Sequence, residues 1–108
     1  MMVFKISLIL ALCVAAGAAQ AQSIGNPRQG LRLARLQCAE CHLVEKGQGG
    51  SPNPAAPTFE HIANISGMTG MALTAALRTS HGTMPNVMIK GSDIAHVVAY
   101  ILSLKDGD

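Results

Sequence analysis

The 108-residue chain has no tryptophan, one tyrosine and two phenylalanines. Phe4 stands in the first stretch, which leaves Phe59 and Tyr100 as the aromatics of the main body. A chain of this length makes one small domain, and small domains bury only a marginal core unless something staples them. Cysteine does not supply that staple as a disulfide framework, because only Cys13, Cys38 and Cys41 are present and Cys13 lies in the first apolar run. Charge is also scarce: 13% of residues are charged, the net charge is +2 and no polybasic run occurs. Nucleic acid binding calls for a concentrated basic footprint and is therefore unsupported. No internal repeat is visible, and the helices read along the chain make the expected fold all-α.

The first stretch places Lys5 before an apolar run from Ile6 to Ala16 and ends in Ala19-Gln20-Ala21, the small-x-small form that a signal peptidase reads. The run falls short of the roughly 20 apolar residues of a membrane span. A cleaved signal peptide over residues 1–21 is expected, with one domain over 22–108, export to the periplasm and no stable membrane anchor afterwards. Cys13 follows Leu12, where a lipoprotein signal would carry a small residue, and is expected to leave with the signal.

What the chain does have is Cys38-Ala39-Glu40-Cys41-His42. Two cysteines three apart with a histidine directly after form the attachment pattern of a c-type haem. On a helix these three side chains project from one face, so a single porphyrin can meet all of them. The thiols of Cys38 and Cys41 then supply thioether bonds and His42 supplies an axial ligand to iron. A thioredoxin-like dithiol would follow a strand in a βαβ pattern, and no strand pattern precedes Cys38. A structural zinc site would need a second ligand pair, and no second CxxC or HxxxH follows. A large apolar haem also supplies the core that the composition lacks. The chain without haem is expected to fold poorly.

Around this motif the chain reads as short helices. Asn26 is a candidate cap and Pro27 suits a first turn, opening an amphipathic helix from Arg28 that runs into His42 with Leu31, Ala34 and Cys38 on one face. Gly30 costs about 1 kcal/mol in a helix, which points to close packing against it. Residues 43–57 carry turn chemistry from Gly47 to Pro54 and are expected to form a surface loop crossing one haem edge. The Pro57 carbonyl can accept from the His42 ring N–H that faces away from iron. Thr58 to Ile65 reads as a short helix, and a further helix starts at Thr69 or Gly70 and ends near Ser80. Thr83-Met84-Pro85-Asn86 is extended, since a residue before proline is pushed out of the helical region. Ser92 is the expected cap of the last helix, Asp93 suits its positive end, Lys105 its negative end, and Ile94, Val97, Val98, Ile101 and Leu102 form its apolar stripe.

A sixth iron ligand decides between electron transfer and an open site. Met68, Met71, Met84, Met88, His61, His81 and His96 are the candidates. Met71 reads as helix packing, Met68 as a turn residue, and His96 as a solvent-facing residue off the apolar stripe. Met84 is best placed, because an extended segment can present its thioether inward.

Together, Cys38 to His42, Ala56-Pro57-Thr58-Phe59, Thr83-Met84-Pro85-Asn86 and Val98 to Leu104 resemble the class I, mitochondrial-type cytochrome c family. The resemblance covers essentially the whole domain and keeps the motifs in the family's order. It implies the cytochrome c fold, three to four short helices wrapped around one covalently bound haem c. It further implies His42 as proximal and Met84 as distal iron ligand, Pro57 as the carbonyl supporting the histidine, and Gly30 with Tyr100 as the contact between first and last helices. The chain departs from the family in placing Leu33 or Ala34 where an aromatic is common, and in having no tryptophan for a haem propionate. The implied function is periplasmic transfer of single electrons, with no enzyme activity of its own. The implied partners are redox proteins such as a dehydrogenase and a terminal oxidase or cytochrome complex. Scattered cations such as Lys46, Lys90, Arg28, Arg32 and Arg35 can help such docking. Two rival functions share these residues: a gas sensor or peroxidase-like enzyme whose Met84 leaves the iron, with His81 the acid/base group at hand, and a subunit of a larger oxidoreductase.

Overall fold

The computed structural model describes residues 25–47, 49–80, 82, 84, 85 and 89–107. The expected signal peptide, together with Thr83, Asn86, His81 and Met88, lies outside them. Four helices and no strand occur among the described residues: α1 (Pro27–Gln37), α2 (Phe59–Ala63), α3 (Gly70–Arg78) and α4 (Gly91–Ser103).

Helix α1 starts where Asn26 can satisfy its free N–H groups. The Asn26 Oδ1 accepts from the N–H of Arg28 at 2.9 Å and of Gln29 at 3.3 Å, and Pro27 occupies the first turn, where a missing N–H costs nothing. The helix stops at Gln37, five residues before the end of the haem motif, with Cys38 as its cap. The expectation of a helix continuing to His42 is corrected to a single turn beyond the helix end. In that turn the N–H of Cys41 and of His42 both reach the Cys38 carbonyl, at 3.2 and 2.9 Å. Spacing of three and four residues is thereby preserved without the helix.

Thr58 caps α2 by accepting the His61 N–H on Oγ1 at 3.1 Å, and Thr69 caps α3 by accepting the Ala72 N–H at 3.1 Å. Helix α2 is shorter than the pattern over 58–65 implies, because past Asn64 the bonding tightens to three residues, with the Ile65 N–H on the Ile62 carbonyl at 3.3 Å. Helix α4 departs from expectation at both ends. Ser92 lies inside the helix; Lys90 holds the cap position and its side chain makes no capping bond. Lys105 does not serve the helix C-terminus either: its Nζ donates to the Met68 carbonyl at 3.1 Å, tying the chain end to the turn before α3.

Helix α4 is the centre of the fold. Helix α1 lies along it most extensively, while α3 and α2 pack against it over smaller areas. Ile94, Val97, Val98, Tyr100 and Ile101 are buried on its inward side, facing Ala34, Phe59, Ala63 and Leu73 of the other helices in one continuous core. Burying each larger apolar side chain contributes about 1.5–3 kcal/mol, so α4 is held by packing more than by its uncapped start. Two glycines permit the α1–α4 approach. A Cβ at Gly30 would lie 2.0 Å from the His96 carbonyl oxygen and 2.6 Å from the Tyr100 Cβ, and one at Gly25 would lie 1.9 Å from the Ala95 carbonyl oxygen. His96 is corrected from a solvent residue to part of this seam: its half-buried ring accepts the Asn26 N–H on Nδ1 at 2.8 Å. Met71 is also corrected, since it is 84% exposed and not packed in the core. Among the described residues no helix is long and apolar enough to cross a membrane.

Candidate haem site

The turn after α1 sets the first three groups of the site. Ala34 accepts the N–H groups of Cys38 and Ala39 at 2.8 and 3.0 Å, and the Asn53 N–H closes onto the Cys41 carbonyl at 3.0 Å. The turn is thus tied to α1 on one side and to the 43–57 loop on the other. Cys38 is buried and Cys41 half-buried, and the two form no disulfide. Before haem is attached, burial pushes the Cys38 thiol up to about 11.

His42 is oriented from behind. Its Nδ1 lies 2.6 Å from the Pro57 carbonyl oxygen. A carbonyl can only accept, so the ring proton sits on Nδ1 and the Nε2 lone pair is left for another partner. Phe59 stacks beside it, with ring centroids 5.3 Å apart and planes tilted by 52°. The Phe59 N–H in turn donates to the Leu43 carbonyl at 3.0 Å, and the Leu43 N–H donates to Ser51 Oγ at 3.0 Å. The loop after the motif is therefore fastened at both Ser51 and Phe59.

Cys38, Cys41 and His42 all line one cavity of about 460 Å³, within the range of small-molecule and cofactor sites. Pro57, Phe59, Ile62, Leu73, Leu77 and Ile101 supply apolar wall, and Met84 lines it with Pro85. Met68 lines the same cavity, so it is more than a turn residue; exposed Met71, His61 and half-buried His96 do not line it. Little in the sequence marks Met68, because a methionine between Gly67 and Thr69 carries no periodic signal. Among the described residues no group of three or more His, Cys, Asp or Glu side chains gathers as a bare metal ion would need.

The cytochrome c family model matches residues 27–105. The chain belongs to the cytochrome c family. The match spans all four helices and the cavity, and this cytochrome carries haem c, bound covalently through Cys38 and Cys41, as a haem-based electron carrier. Cytochrome c-552 of Bradyrhizobium diazoefficiens is 30% identical over 100 residues, which cover 93% of this chain and 92% of that protein. No solved structure matches the chain. The residues present fit the cofactor: two cysteines and an imidazole whose Nδ1 proton is already engaged line a largely apolar cavity.

Proposed function

We propose that this cytochrome shuttles single electrons between redox proteins in the periplasm, with His42 and Met84 as the two axial ligands of its iron. One observation carries the reading. The His42 ring is fixed by the Pro57 carbonyl through Nδ1, beside both cysteines, in a cavity that Met84 also lines. The haem supplies a one-electron ferric/ferrous couple when bound. The chain's own residues do the rest. Cys38 and Cys41 anchor the cofactor, and Pro57 holds the imidazole in one tautomer and strengthens it as a donor. Met84 contributes a soft sulfur that favours the reduced iron. Ile62, Leu73, Leu77 and Ile101 exclude water from the cavity, which favours the reduced form further.

Export follows from the first stretch, where Lys5, the run Ile6 to Ala16 and Ala19-Gln20-Ala21 read as a signal peptide cleaved after Ala21. The electron partners are larger redox proteins, such as a dehydrogenase on one side and a terminal oxidase or cytochrome complex on the other. Brief docking of this kind uses an interface below about 1,200 Å².

The test is a set of spectra of the purified exported protein in both oxidation states, with and without carbon monoxide. A low-spin haem with the weak long-wavelength sulfur-to-iron band, whose ferrous form ignores carbon monoxide, is the expected result. A high-spin or carbon-monoxide-binding haem at neutral pH overturns the carrier reading in favour of an open site for sensing or peroxide chemistry.

A further inference from the structure

Tyr100, the chain's only tyrosine, is not part of the cavity wall, yet two of its groups lead to His42. Its buried hydroxyl donates to the Val44 carbonyl at 2.6 Å, two residues after His42. Its ring lies 6.4 Å from that of Phe59, tilted by 51°, and Phe59 is the ring that stacks on His42. The stretch following His42 is held at every step. Leu43 is fixed by Ser51 and by the Phe59 N–H, Val44 by Tyr100, and Glu45 by an ion pair with Arg35. Of these anchors only Tyr100 reaches the loop from α4, where it touches both the backbone after His42, at Val44, and the Phe59 ring beside it.

We infer that Tyr100 is a positioning residue for the His42 imidazole, acting through Val44 and Phe59 to set the His42–Pro57 hydrogen bond. The inference rests on the reading that His42 ligates the iron. An imidazole whose Nδ1–H bond is held firmly is a stronger donor to metal, and a stronger donor favours the oxidised state. Loosening Val44 shifts the backbone that carries His42 relative to Pro57. The bond weakens, the reduced state gains, and the midpoint potential rises. A tyrosine that merely fastens α4 to the loop would change stability and leave the potential where it was.

The holoprotein and three variants separate these roles. Tyr100→Phe removes the hydroxyl and keeps the ring, Tyr100→Leu removes both links, and Asn26→Ala uncaps α1 away from this chain of contacts. Midpoint potential, the low-spin ferric resonance signature and melting temperature are read for each. The expected result is a raised midpoint and altered signature in Tyr100→Phe, larger in Tyr100→Leu, while Asn26→Ala lowers the melting temperature with both readouts unmoved. If Tyr100→Leu does not fold, Tyr100→Phe decides alone. Wild-type potential and signature in Tyr100→Phe overturn the inference, as does an equal displacement in Asn26→Ala. A wild-type spectrum without histidine ligation overturns the His42 reading itself, and is distinguished because it appears before any variant is made.

Discussion

Gly30 of α1 lies so close to α4 that a Cβ there would stand 2.0 Å from the carbonyl oxygen of His96. A backbone oxygen cannot swing aside as a flexible side chain can. The two helices must separate if any larger residue takes this place.

Gly30→Ala is therefore expected to destabilise the holoprotein. The gain in helix propensity, about 1 kcal/mol, is outweighed by overpacking that typically costs about 1–3 kcal/mol and more against rigid backbone. Denaturant titration checks this; an unchanged or raised midpoint of unfolding would show that the α1–α4 contact yields easily.

Removing the haem should unfold much of the chain. Ile62, Met68, Leu77 and Ile89 line the cavity and are only partly covered by the protein itself, so without a cofactor their remaining apolar surface faces water at about 25 cal/mol per Å². A Cys38→Ser, Cys41→Ser double variant produced without haem should show weak helical circular dichroism and no cooperative melt. Wild-type helicity with a sharp transition would mean that the core closes without its cofactor.

Met84→His exchanges a thioether for an imidazole, a harder donor that favours the oxidised iron. The midpoint potential is expected to fall and the sulfur-to-iron band to vanish. An unmoved potential would remove Met84 from the ligand set.

Tyr100 gives the fold an alkaline weak point. Burial, reinforced by the negative charge of Glu45 and opposed by Arg35, raises its phenol above the ordinary 10.0. The folded state thus prefers the neutral phenol. The stabilisation is complete below pH 10.0 and is lost as pH rises through the higher folded value. Tyr100→Phe should be less stable than wild type near neutrality, by about 1 kcal/mol for the lost bond to Val44, with the gap narrowing in strong alkali. Urea unfolding across that range tests the sign; a gap that widens with pH would contradict it.

Local patterns were the most readable part of the chain. Cys38, Cys41 and His42 are neighbours in sequence, and one turn suffices to gather them whether or not the helix continues. Asn26 and Thr69 cap their helices because a cap acts within three residues. Ser92 misled for the opposite reason. A serine before an apolar stripe looks like a cap, but the cap position falls two residues earlier, on Lys90, and α4 is held by its packing rather than by a side-chain cap. Met71 misled because a methionine in a helix usually packs, while this one stands 84% exposed, uncovered among the described residues.

The sequence by itself determined the helical class, the haem-bearing turn and the need for a large apolar cofactor, because these follow from spacing, composition and short-range hydrogen bonding. Only the tertiary structure decided which distant groups meet: His96 with the Asn26 N–H, Lys105 with the Met68 carbonyl, Tyr100 with Val44, and Met68 with the cavity. Such pairs are separated by tens of residues and leave no periodic trace. They are fixed by how the other helices pack on α4, and the approach of α1 is set by Gly25 and Gly30 against the α4 backbone.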